Sequence, residues 1–189
     1  MDYRQLTLAE VRPALDAIAR DTEAEFGSLD AARLNWRPNA TTWGVAQCFD
    51  HLVTANHLML QKMDDALRGA EPRSIWRSLP VWPSVMGGLL IRSQAPQATR
   101  KFTAPPAATP AASDVPADIV LRFVAQHHDM RRRLNEIDDR GAATAIMTSP
   151  FVRVITYSVL DAWRLLVAHD HRHIQQARRV TQLPEFPRG

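Results

Sequence analysis

From residue 152 to residue 180 the chain runs without a glycine or a proline, and its apolar residues return at intervals of three and four. That period belongs to a helix with one buried face. A helix of this length cannot hide its apolar stripe by itself, so the rest of the chain must supply partners for it.

Three other stretches repeat the pattern. Leu8, Val11, Leu15, Ile18 and Ala19 predict a first helix over Leu8–Phe26, with Pro13 early enough to cost little or to mark a slight kink. Val45, Cys48, Phe49, Leu52, Asn56, Met59 and Met63 predict a second, with Thr42 as its N-cap, an end near Arg68 and Gly69 as the stop. Ile119, Val120, Phe123, Met130, Leu134 and Ile137 predict a third over about 116–139, with Ser113 or Asp114 available as cap and Gly141 as the stop. Nothing alternates with period two over a useful length, so the expected class is all-α, without strands.

Between the second and third helices lies a connection over about 70–116 that holds more than half of the chain's prolines. It contains an apolar island over 79–91 and a Pro/Ala-rich run over 104–116. A link of that length can cross the whole body of a bundle, so the second and third helices can lie parallel. The expectation is one domain over 1–189, an all-α four-helix bundle with a long crossover. Leu79, Val81, Trp82, Val85, Met86, Leu89 and Leu90 exceed what a surface loop needs, which predicts a homodimer.

Composition narrows the function. The single cysteine, Cys48, excludes an internal disulfide framework and a cysteine-based zinc finger, so any metal must be held by histidine and carboxylate. No leader-like or membrane-spanning run is visible, and the expected address is the cytoplasm. The formal net charge is +3, with arginines and acidic residues interspersed, so no nucleic-acid footprint forms and Arg131, Arg132 and Arg133 read as a solvated helix face. There is no glycine-rich phosphate loop and no GxSxG elbow. Cys48 falls on an apolar stripe and reads as a packed thiol.

On a helical wheel Ile155, Ala162, Leu166, His169, His173, Ala177 and Val180 share one side of the fourth helix. Two imidazoles one turn apart on an apolar face are costly unless something satisfies both, and a metal ion does. His51, beside the apolar stripe of the second helix, is the best third ligand. Three neutral histidines leave coordination positions open, as catalytic sites do. Asp50 and Asp170 are fallback ligands. Gln176 is a candidate partner for His173 outside the ligand set. His171 reads as a rim residue; His57, His127 and His128 read as structural or solvent-facing, with His127 or His128 able to border the cavity. Trp36, Trp43 and Trp163 read as core or loop anchors, and Trp76 and Trp82 as lining a pocket or an interface.

The segments Leu34-Asn35-Trp36-Arg37-Pro38 and Trp43-Gly44-Val45-Ala46-Gln47-Cys48-Phe49-Asp50-His51-Leu52 resemble the loop and second helix of the DinB-like superfamily, in the branch that holds the YfiT-like metal-dependent hydrolases and thiol transferases. His169-Asp170-His171-Arg172-His173-Ile174-Gln175-Gln176-Ala177 resembles that family's last helix, and Leu183-Pro184-Glu185-Phe186-Pro187 its close. The resemblance spans nearly the whole chain. It implies a four-helix bundle in up-down-down-up order with the long crossover, His51, His169 and His173 as ligands of nickel or zinc, and a small-molecule substrate with a low-molecular-weight thiol as a candidate. The expected chemistry is a thiol or water nucleophile activated by the ion; the rival is a non-catalytic metal-binding or dimerising module.

Overall fold

A computed structural model describes residues 1–98, 103–112 and 114–188. The protein is mainly helical: α1 (Leu8–Phe26), α2 (Ala31–Asn35), α3 (Val45–Leu67), α4 (Ile75–Ser78), α5 (Trp82–Gln94), α6 (Ile119–Arg133), α7 (Asp139–Thr144) and α8 (Val159–Thr181), with a small hairpin of β1 (Ile146–Thr148) and β2 (Thr156–Ser158).

Local chemistry sets the helix starts. Thr7 and Glu10 form a reciprocal capping box at α1, and the helix then continues through Pro13. The second predicted helix begins at Val45, not behind Thr42, and Gly44 holds the cap position. A Cβ on Gly44 would stand 2.5 Å from the Trp36 carbonyl oxygen, so glycine is needed there, and Gln47 Oε1 accepts from its N–H. The third predicted helix starts later and ends earlier than its periodicity implies. Asp118 precedes it without a side-chain cap, and after Arg133 the chain passes through a tight turn into α7, which Asp138 caps anew. Asp114 lies outside α6, and Ser113 outside the described residues.

Two expectations fail more plainly. The fourth helix starts at Val159 instead of near 152, because Ser158 caps it by accepting from the Asp161 N–H. The preceding residues form antiparallel strands in the register Ile146 to Ser158, Met147 to Tyr157 and Thr148 to Thr156. Ile155 is therefore not on the helix. Three-residue strands are too short for alternation to be read. The apolar island is also no loop: α5 packs on α8 and on β2. A Cβ on Gly87 would sit 2.6 Å from Asp161 Oδ2, so this glycine permits the close approach of α5 to α8. Gly87→Ala is expected to lose about 1–3 kcal/mol by overpacking, measured by urea denaturation, whereas Gly88→Ala, with open space where its Cβ would go, should be neutral or slightly stabilising.

The four long helices α1, α6, α3 and α8 close a ring, each packing on its two neighbours. Their directions follow from paired contacts. Gln126 bonds the Val53 carbonyl and Arg133 pairs with Asp64, in the same order along both helices, so α3 and α6 run parallel. His51 meets His169 while Met59 meets Tyr157, two residues before α8 begins, so α3 and α8 run antiparallel. Inside the ring Leu15, Phe26, Phe49, Phe123 and Trp163 belong to one continuous core. Arg131, Arg132 and Arg133 pair with Asp16, Asp129 and Asp64. Among the described residues no helix is long and apolar enough to cross a membrane.

Candidate metal centre

α3 turns His51 inward because the residues flanking its face, Cys48, Phe49, Leu52 and Ala55, are buried. α8 presents His169 and His173 one turn apart in the same way, between Leu166 and Ala177. The antiparallel pairing brings all three imidazoles together, with one nitrogen from each within 4.8 Å of the others. His51 and His173 are buried and His169 is half-buried.

Nε2 of His51 lies 3.2 Å from Nε2 of His169. Nδ1 of His51 lies 2.6 Å from the buried carbonyl of Ala108, an acceptor only, so Nδ1 carries the proton and Nε2 a lone pair. Two ring nitrogens bound to one ion at about 2.0–2.1 Å stand roughly 2.8–3.4 Å apart across octahedral and tetrahedral geometries. The observed separation falls in that interval. Nδ1 of His173 is buried without a hydrogen-bond partner, the kind of atom that a cation satisfies. The three residues could therefore hold a metal ion.

Electrostatics favours the ligand form of each ring. Burial pushes His173 down to about 3, helped by His51 and Arg172; Gln176, one turn on, opposes this as a hydrogen-bonding neighbour. Burial also drives His169 well below its ordinary value, with His173, His51 and Arg172 adding to it. His51 moves down for the same first reason, partly offset by the Ala108 carbonyl. All three rings are thus neutral near neutral pH, as metal binding requires.

Trp43, read from sequence as an anchor, belongs to the site. Its indole stacks on His173 at 5.7 Å between centroids and 25° between planes, and tilts over His51 at 5.1 Å. Nothing in the sequence separated it from Trp36, which instead packs edge-on against Phe186. The fallback ligands lie elsewhere. Asp50 accepts from the backbone N–H of Ala111. Asp170 is fully buried and turned toward other partners, accepting from Asn56 of α3 at 3.1 Å and from His127 of α6 at 3.0 Å. Among the described residues His127 makes no hydrogen bond to the three rings; its other nitrogen meets the Phe123 carbonyl. His171 bonds Tyr3, His57 bonds Gln61, and His128 is exposed. Burial pushes the Cys48 thiol up to about 12, which suits a packing residue and no nucleophile. Trp76 and Trp82 contact each other, and Trp82 donates to the Val154 carbonyl.

Residues 14–177 match the profile of the DinB superfamily. No curated protein and no solved structure matches the chain.

Proposed function

This chain belongs to the DinB superfamily, and from that premise we propose that it is a metal-dependent enzyme in which His51, His169 and His173 hold one divalent ion, nickel or zinc. The observation that carries the reading is the convergence of three neutral imidazoles from two antiparallel helices inside a helical ring. When bound, the ion supplies Lewis acidity, lowering the pKa of a coordinated thiol or water so that a nucleophile forms near neutral pH. The chain's own residues do the rest. His51 is held in one tautomer by Ala108, and His169 and His173 are spaced by one turn of α8. Trp43 covers one side of the cluster. Three protein ligands leave coordination positions for substrate. The reaction we propose is transfer of a low-molecular-weight thiol to a small electrophile, or hydrolysis of a small molecule.

Elemental analysis of the purified protein tests this beside the His51→Ala/His169→Ala/His173→Ala variant. About one equivalent of zinc or nickel should be present in the first and absent from the second. Equal metal content would end the proposal, and turnover of small thiols with electrophiles should vanish with the metal.

A second reading rests on the outer face of α5, where Val81, Val85 and Leu89 stand exposed beside Leu79 and Ile75. In it the bundle self-associates through that stripe and the ion serves stability. Sedimentation analysis of Val85→Glu/Leu89→Glu should then give monomers where the unmodified chain gives dimers, whether or not metal is present.

A further inference from the structure

The crossover returns to the site as a strap, residues 103–112, stiffened by Pro105, Pro106 and Pro110. Three side chains from one face of α3, at positions 47, 50 and 51, bind its backbone. Gln47 Nε2 donates to the Ala111 carbonyl at 2.9 Å, and Asp50 Oδ2 accepts from the Ala111 N–H at 2.9 Å. Three residues upstream, the Ala108 carbonyl accepts from His51 Nδ1 at 2.6 Å. Gln47 is itself fixed, because its Oε1 accepts from the Gly44 N–H at the start of α3. Neither Gln47 nor Asp50 touches the other two histidines by any hydrogen bond among the described residues.

We infer that Gln47 and Asp50 are positioning residues: by gripping both backbone polar groups of Ala111, they hold the Ala108 carbonyl against His51 and so fix which ring nitrogen faces His169 and His173. A histidine side chain free in water prefers the proton on Nε2, the nitrogen that here points at His169. Without an acceptor at Nδ1 the His51 ring reverts toward that form and turns an N–H into the cluster. A carbonyl behind a ligand histidine is the usual device for setting its tautomer; here it is carried by a segment that side chains of α3 hold by its backbone. The inference rests on the metal reading for its effect on affinity but not for the tautomer itself.

The test uses the full chain. Ring ¹⁵N shifts of His51 are read in the metal-free protein at neutral pH, and zinc affinity is measured by competition with a chelating dye. The unmodified protein should show the proton on Nδ1. In Gln47→Ala/Asp50→Ala it should move largely to Nε2, and the zinc Kd should rise by about 10–100-fold. Asp50→Ala alone, which keeps the Gln47 bond and guards against a double variant that fails to fold, should move part of the way. Asp50→Asn keeps an acceptor oxygen and should behave as the unmodified chain; if it instead matches Asp50→Ala, the hydrogen bond is not what matters and the inference falls. It also falls if the double variant keeps its proton on Nδ1, or if the proton moves and zinc affinity does not. Movement of the proton in a chain that binds no zinc even when unmodified would uphold the clamp and overturn the metal reading.

Discussion

Replacing Asp170 with alanine is expected to cost about 3–5 kcal/mol of stability, lowering the melting temperature by roughly 6–20 °C for a chain of this size. The carboxylate is fully buried between α3 and α6, and each of its oxygens satisfies a different donor, Asn56 Nδ2 and His127 Nε2. Deleting it strands both in the core, and each stranded donor costs about 1–3 kcal/mol. Asp170→Asn should fall between, because one amide N–H₂ must face a donor. The double replacement His127→Leu/Asp170→Leu should recover part of the loss, since an apolar pair leaves only Asn56 unpaired. Calorimetry of the four proteins decides it, and a loss under about 1 kcal/mol in Asp170→Ala would mean that the network contributes little. Because Asp170 follows His169 on α8, the same contacts hold the helix at the rotation that presents His169 and His173 to α3.

Acid should unfold the metal-free protein early. In the unfolded chain the three histidines take up protons near their ordinary value of 6.5, whereas burial holds His173 neutral down to about 3 and lowers His51 and His169 as well. Between those limits the unfolded state binds more protons, so stability rises with pH and is lost as pH falls. For His173 alone the folding equilibrium weakens about tenfold for each pH unit below 6.5, and the other two add to the slope. Urea midpoints between about pH 7 and pH 4, measured on chelator-treated protein, should therefore fall steeply. The triple alanine variant should show a flatter profile, with His171, which burial also lowers, and the carboxylates still contributing toward the acid end. Zinc at about 100 times its Kd should raise stability by about 2.7 kcal/mol at neutral pH. Coincident profiles for the metal-free protein and the triple variant would contradict the burial of these rings.

The four bundle helices and the pairing of His169 with His173 could be read from the chain itself, because both depend on the 3.6-residue period, a local property that survives packing. The same period put His51 next to the inner face of α3. What packing decided has no such local trace. Helix α5 was hidden inside a proline-rich connection, with Pro83 at its start and Gly87 and Gly88 in its middle; Gly87 is there because α8 leaves no room for a Cβ. The hairpin before α8 escaped notice because strands of three residues leave no alternation to detect, and α8 lost about its first two expected turns to the hairpin. Trp43 became a wall of the site and Trp36 did not, a difference set by which ring α8 happens to meet. The partner of His51 could not be read from the sequence at all. It is the main-chain carbonyl of Ala108, and every residue has a carbonyl, so only the return of a long crossover to α3 singles this one out.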